Sequence, residues 1–271
     1  RTLKVHTDNE FPLMAHMGQN LPGALKAKPI LAGGVPQWAL DPRDRVETIQ
    51  VNVEHSQNKF SLAGVQMKFS SMMNKDGRFN IEQDSDSDSW IIKTPSMQLP
   101  SEESAYAIKR FDREDGQRIH TEDFAQVFQV YSQDKYRKHN YEQIANALHE
   151  FSTQGLKDVQ QMARRLLVNI LLANGDAHLK NWSLIYRDGV NPSLSPAYDI
   201  VSTMPYIEGE KEFALNMAKN KNWYEANMVI FEVWAKRVGV AWPAIKVHLQ
   251  DTINIARQHW MPMLATLPMH D

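Results

Sequence analysis

From Leu156 to Ile170 the apolar residues Leu156, Val159, Met162, Leu166 and Ile170 return every three or four positions, the spacing of one buried helical face. Two further helices are expected just upstream. One is "TEDFAQVFQVY", opened by Thr121 as a capping residue with acids in its first turn; the other is "NYEQIANALHEF". Two amphipathic helices, "EANMVIFEVWAKRVG" and "AWPAIKVHLQDTINIARQHWMPML", close the chain. Before about Tyr106 the pattern is different. "ETIQVNV" (47–53) alternates as a strand should, and "QMKFSSMM" and "GRFNI" predict a hairpin through Asn74-Lys75-Asp76-Gly77. "WIIK" and "AYAIKRF" add two more strands, and "DREDGQ" is a turn. The expected class is α+β with two lobes, a β-rich 1–105 and a mainly helical 106–271, and a plan of this kind places its site in the cleft.

Composition adds bounds. The 271 residues are 42% hydrophobic and 23% charged, an ordinary globular balance, and the net charge of −2 gives no global pull toward nucleic acid or an anionic membrane. The absence of cysteine excludes disulfides, thiolate metal sites and a cysteine nucleophile. No apolar run reaches the ~20 residues of a membrane span, and "RTLKVHTDNEF" carries no signal-peptide core, so a cytoplasmic protein is expected. The acidic run "DSDSDS" reads as a solvated loop, since it lacks the glycine and glutamate of a calcium loop. The methionines and tryptophans of the closing helices read as packing.

The chemistry concentrates in "LLANGDAHLKNWSLIY" (171–186), where an apolar helix stops at Asn174-Gly175 and Asp176, His178, Lys180 and Asn181 follow within a few positions. "WSLIY" then alternates as a strand, "RDG" turns the chain, and "LSPAYDI" returns with Asp199. That hairpin brings Asn181 and Asp199 toward neighbouring strand ends, an amide oxygen and a carboxylate suited to Mg²⁺. Asp176, just ahead, is left to accept a proton from an attacking hydroxyl. D-x-x-x-x-N followed by an aspartate after one hairpin is the catalytic-loop arrangement of protein kinases. The same residues also serve as ordinary turn caps, a reading the spacing alone leaves open. Upstream, the Ala63-Gly64 turn offers backbone N–H groups to phosphate, or is a plain β-turn. Lys93, ending an interior-looking strand, needs a counter-charge such as a nucleotide phosphate, or simply marks the strand end.

Taken in order, "SLAGVQMKF", "WIIKTPS", "IKRFDR", "RIHTEDFAQ", "GDAHLKNWSLIY" and "SPAYDI" resemble the HipA family of bacterial serine/threonine kinases over roughly Leu21 to Tyr206. The resemblance implies a kinase-like two-lobed fold with ATP between the lobes. It implies Asp176 as catalytic base, Asn181 and Asp199 as Mg²⁺ ligands, and Lys93 on the nucleotide phosphates. Ala63, Gly64, Val65, Gln66 and Lys68 would form the phosphate-facing loop. Lys109, Arg110 and Phe111 would be the hinge at adenine, and His178, Lys180 and Tyr198 would line the nucleotide site. A metal-ligand role for His178 is the rival reading, but no second histidine stands at ligand spacing. Ser61 matches the serine that family members autophosphorylate, and a phosphate there would oppose ATP in the adjoining loop.

Asp199 is followed by Ile-Val and not Phe-Gly, as in HipA-like sequences. "LPSEESAYAIKRFDR" is shorter than the family pattern, which carries a helix with an acidic partner for the strand lysine; Glu102 and Glu103 lie near its start. Little precedes "LPGAL", as in the short HipT-type toxin whose missing piece is a separate HipS protein. The resemblance thus implies an ATP- and Mg²⁺-dependent toxin kinase with HipB- or HipS-type antitoxin partners and a protein substrate such as an aminoacyl-tRNA synthetase. No direct binding of nucleic acid and no membrane are expected. The alternative is a catalytically silent module that holds nucleotide or partner within an antitoxin complex.

Overall fold

Short β-branched and aromatic runs at the front and long amphipathic runs at the back separate the chain into two compact units, Arg1–Thr121 and Glu122–Asp271. The computed structural model describes residues 105–267 continuously, the strand segments 2–6, 48–52, 68–73, 79–80 and 89–93, and single positions at 24, 27 and 76. The architecture is mixed α/β. Ser61, Ala63, Gly64, Val65, Gln66 and the "DSDSDS" run lie outside the described residues.

In the first unit β1 (Thr2–His6) pairs antiparallel with β2 (Thr48–Asn52). A four-stranded sheet runs in the order β4 (Phe79–Asn80), β3 (Lys68–Met73), β5 (Trp90–Lys93), β6 (Tyr106–Lys109). The β3–β4 hairpin closes over the predicted Asn-Lys-Asp-Gly connection, with Met73 opposite Phe79. Register sets Lys68 opposite Lys93 and Lys93 opposite Tyr106. Beyond β6, the "DREDGQ" turn is a complete small hairpin, β7 (Arg113–Glu114) against β8 (Gln117–Arg118). Asp115 and Gly116 take φ of 49° and 74°, the left-handed pair that a two-residue hairpin turn requires.

The second unit opens where β9 (His120–Asp123) runs directly into α1 (Phe124–Val127). Here the structure corrects the expectation. Thr121 lies in the strand, and the cap is Asp123, whose side chain accepts from Gln126 N while Gln126 answers back to Asp123 N. Strand pairing claims Thr121 before it can cap, and the helix is four residues long. α2 (Tyr141–Phe151) has the same reciprocal box from Asn140 and Gln143. α3 (Gly155–Leu171) buries Val159, Met162, Ala163, Leu166 and Leu167, whereas Leu156, placed on the core face by its spacing, is exposed in the first turn.

Strands β10 (Ser183–Tyr186) and β11 (Pro192–Leu194) join β9 in the order β11-β10-β9. The expected alternation along "WSLIY" is not a division between core and water, because Trp182, Ser183, Leu184 and Ile185 are all buried. After β12 (Glu212–Met217) and β13 (Asn220–Asn222) come α4 (Met228–Val238) and α5 (Trp242–Leu264). Asn227 caps α4, and Gly239 ends it in the left-handed conformation, φ 76°. α3 packs against α2 and α5, and α4 against α2 and α5. Trp234, Phe124, Phe231, Met162, Leu166 and Leu179 are fully buried among them; of the closing-helix residues read as packing, Trp234 is in the core and Met228 and Trp242 pack against it, whereas Met261 and Met263 are exposed near the end of α5. No helix among the described residues is long and apolar enough to cross a membrane.

Asp158, in the first turn of α3, ties that helix to the sheet. Its Oδ2 accepts from Ser152 Oγ at 2.5 Å and from Leu194 N in β11 at 2.7 Å. The Asp158→Ala variant strands a buried N–H, and its urea midpoint should report a loss of about 2 kcal/mol.

Candidate active site

The site is built where α3 stops. Ala173 takes φ 50°, turning the chain out of the helix, and the Asn174 side chain then holds the turn from both ends. Its Oδ1 accepts from Asp176 N at 2.9 Å, and its Nδ2 donates to Asn169 Oδ1 at 2.7 Å. Asn169 in turn donates to Arg165 O, and Arg165 Nη1 to Ser195 O beyond β11. Gly175 N donates to Thr203 Oγ1 at 2.7 Å, and Thr203 N to Ala173 O at 3.2 Å. A side chain at Gly175 has no room: an added Cβ would lie 2.1 Å from Glu210 Oε1 and 3.2 Å from Glu212 O.

Past the turn, the Ala177 carbonyl accepts from Tyr141 Oη (3.0 Å) and Trp182 Nε1 (3.2 Å). The Asp176 carbonyl accepts from His178 N (2.8 Å) and from Asn181 Nδ2 (2.7 Å). Leu179–Asn181 form one 3₁₀ turn with Leu179 wholly buried. These bonds leave the Asp176 carboxylate partly in solvent, its side chain 42% exposed. Oδ1 accepts from the Tyr136 hydroxyl and lies 3.8 Å from His178 Nε2, while Oδ2 accepts no hydrogen bond among the described residues.

Asn181 and Asp199 line one pocket together with Arg165, Asn169, Trp182 and Tyr198. The Asn181 amide is oriented by its bond to the Asp176 carbonyl, so Oδ1 is the atom left for a cation. Asp199 adopts φ 54°, in the left-handed region that aspartate enters more readily than most residues. An amide oxygen and a carboxylate from residues that line the same pocket are ligand types that suit a hard divalent ion keeping water and phosphate as its other ligands. No cluster of three or more His, Cys, Asp or Glu ligands occurs among the described residues.

The remaining expected residues fall as follows. His178 is buried, edge-on to Tyr136 at 4.9 Å. Lys180 Nζ pairs with Asp123 Oδ2 at 2.9 Å, and Tyr198 Oη reaches Ser183 Oγ at 2.5 Å and donates to Lys180 O at 2.8 Å. Burial pushes the Tyr198 phenol up, keeping it protonated. In the first unit, Lys93 is half-buried at the end of β5 and Lys109 is exposed at the end of β6. Arg110 is buried with Nε and Nη2 on the two Asp112 oxygens (2.8 and 2.7 Å), and Phe111 is half-buried. Arg113 shares Asp112, and burial, then the neighbouring Arg110, lowers it to about 10. Tyr136, Asn169, Thr203 and Glu210 are neighbours that the sequence reading did not single out. Only Asn174, as a helix stop, had left a local signal.

A family model described as the HipA-like C-terminal domain matches residues 97–260. The chain is 36% identical to "Putative kinase Y4dM" of Sinorhizobium fredii, over 98% of this chain and 73% of that protein. To "Putative kinase Y4mE" of the same organism it is 24% identical, over 94% and 72%. The 308 positions aligned with the first relative exceed the 271 residues here, so that relative carries segments without a counterpart in this chain. Among solved structures, HipA from the Shewanella oneidensis toxin–antitoxin complex of HipA, HipB and operator DNA shares the fold. Its TM-score is 0.73 at 18% identity, over 98% of this chain and 75% of that one. Fold and site therefore define a mixed α/β chain of the HipA type. The chain belongs to the HipA-like C-terminal domain family.

Two outcomes follow from this geometry. Gly175→Ala should lower the denaturation midpoint by about 1–2 kcal/mol as Glu210 is displaced, and adding Glu210→Ala should recover most of the loss. Burial, then Lys135, lowers His178 from 6.5 to about 4 against the pull of Asp176. The unfolded chain therefore binds a proton at His178 that the folded chain refuses between these values. Stability should fall as pH drops from 6.5 toward 4, and His178→Gln should flatten the slope in pH-dependent urea titrations. Part of the slope should remain, because burial also lowers His139 and His248.

Proposed function

We propose that this chain is an ATP- and Mg²⁺-dependent serine/threonine protein kinase with a kinase-like two-lobed organisation. The observation that carries the reading is the Asp176–Asn181–Asp199 arrangement. A half-exposed carboxylate keeps one oxygen open, and the asparagine bonded to its own backbone shares a pocket with the second aspartate. Relatives named as kinases support the same class.

In this mechanism the acceptor hydroxyl gives its proton to Asp176 Oδ2 as its oxygen bonds to the γ-phosphorus. The bond from that phosphorus to the β,γ-bridging oxygen breaks, and ADP leaves with the electron pair. Asn181 Oδ1 and the Asp199 carboxylate would hold Mg²⁺, which would supply charge neutralisation on the phosphates. Asn181 also fixes the loop through the Asp176 carbonyl, so base and ligand cannot drift apart. The family resemblance assigns the α- and β-phosphates to Lys93, the phosphate-facing loop to residues 63–68 and the adenine hinge to Lys109–Phe111. Phosphate on Ser61 shuts the site by repelling ATP.

The acceptor is a protein hydroxyl, and an aminoacyl-tRNA synthetase fits the toxin role that the family resemblance implies. By analogy with the HipA–HipB–operator complex, the chain works with an antitoxin of HipB or HipS type, and the antitoxin contacts DNA. The segments that the first relative has and this chain lacks favour a second reading, a module that binds nucleotide without turnover.

Labelled ATP decides between the two. Purified wild-type chain with Mg²⁺ should incorporate γ-phosphate, and Asp176→Asn should lower the rate by about 10²–10⁴-fold while keeping its thermal midpoint and ATP affinity. ATP binding without incorporation by the wild type establishes the silent module. Full incorporation by Asp176→Asn removes that residue as the base.

A further inference from the structure

A carboxylate that serves as base must present one particular oxygen, yet the terminal torsion of aspartate is soft and the two oxygens exchange readily. Something has to hold Asp176. The holder comes from 40 residues upstream: the Tyr136 hydroxyl donates to Asp176 Oδ1, leaving Oδ2 for the acceptor. Resting on the kinase reading above, we propose that Tyr136 is a positioning residue for phosphoryl transfer, fixing the rotamer of Asp176 without touching nucleotide or acceptor.

Tyr136 is itself held on several sides. The chain reaches it through one 3₁₀ turn, Ser132–Asp134, closed by Asp134 N on Tyr131 O at 2.9 Å, and the next turn, which carries Tyr136, is closed by Arg137 N on Asp134 O at 3.0 Å. The adjoining Lys135 carbonyl accepts from Leu179 N at 3.4 Å, so this segment meets the catalytic loop by backbone as well as by side chain. The ring stands edge-on to the buried His178 at an interplanar angle of 79°, and Lys135 Nζ lies 5.0 Å from its centroid. Both neighbours restrict the ring and aim its hydroxyl.

The hydroxyl is also a permanent donor. Burial, the bond to Asp176 and the negative charges of Asp176 and Glu210 all push the phenol upward, so it stays protonated wherever the protein is folded. A neutral donor suits the task, because a lysine in its place would neutralise the base with a full positive charge. His178 is unsuited to it, with Nε2 3.8 Å from Oδ1 and burial favouring its neutral form. The division of labour is then plain: Asn174 and Asn181 fix the backbone on either side of Asp176, and Tyr136 fixes its side chain.

Tyr136→Phe tests this, since it removes only the hydroxyl and keeps the ring against His178. Steady-state phosphotransfer with labelled ATP and Mg²⁺ should show kcat falling roughly 10- to 100-fold, the range for a hydrogen bond to a charged group, with KM for ATP unchanged. Direct ATP titration and the thermal midpoint should match wild type, which separates positioning from general loosening. In the Asp176→Asn background, adding Tyr136→Phe should leave the residual rate where it was. An active wild type with equal kcat in Tyr136→Phe overturns the inference alone, as does a loss in kcat matched by a fall in ATP affinity and midpoint. A wild type that transfers no phosphate overturns the kinase reading and this inference with it.

Discussion

The hydrogen bond from Asn181 Nδ2 to the Asp176 carbonyl ties the two ends of the 176–181 loop together, and the arrangement of the candidate site depends on it. It fixes two functional groups with one contact. The donor end orients an amide so that its oxygen is left for a cation, and the acceptor end holds the backbone of the aspartate that would take the proton. With His178 N on the same carbonyl, the loop closes without a regular helix or strand, which is how polar side chains can be concentrated at the edge of an apolar core.

That core makes the loop possible. Leu179 is wholly buried between its polar neighbours, and the Ala177 carbonyl is taken up by Tyr141 and Trp182. The loop is therefore pinned alternately, inward by apolar or backbone contacts at 177 and 179 and outward by carboxylate and amide at 176 and 181. The aromatic donors come from α2 and from the entry to β10, so rigidity at the site is borrowed from the helical packing of the same unit. Preorganisation of this kind is what electrostatic catalysis requires, since groups already in place cost no reorganisation during reaction.

Much of this could be read from the sequence, and the reasons are physical. Helices of ten or more residues declare themselves by period, and the Asp115-Gly116 turn by its need for left-handed residues. The Asp176-to-Asn181 spacing was visible because a short loop keeps its parts adjacent in sequence. What escaped was whatever depends on contacts between distant segments. Thr121 has the chemistry of a cap but is taken by strand pairing, and Leu156 has the right spacing but sits in the first turn, short of the packed face. Both faces of β10 are buried, so its alternation carried no sidedness. Tyr136, Thr203 and Glu210 reach the loop from 28 to 40 residues away, and no local pattern marks a side chain whose partner is so remote.

Residues 203–210 leave Gly175 at Thr203 and return to it at Glu210, with Tyr206 and Ile207 standing out in water between these two feet. The excursion carries its own turns, with Tyr206 N and Ile207 N on Thr203 O and Glu210 N on Ile207 O, so backbone bonds and not the side chains at its crest hold its shape. The crest can accordingly accept new side chains while the aspartate beside its base stays put. Diversification of the outward surface and constancy of the inner chemistry are thus built into separate ends of one short excursion of the chain.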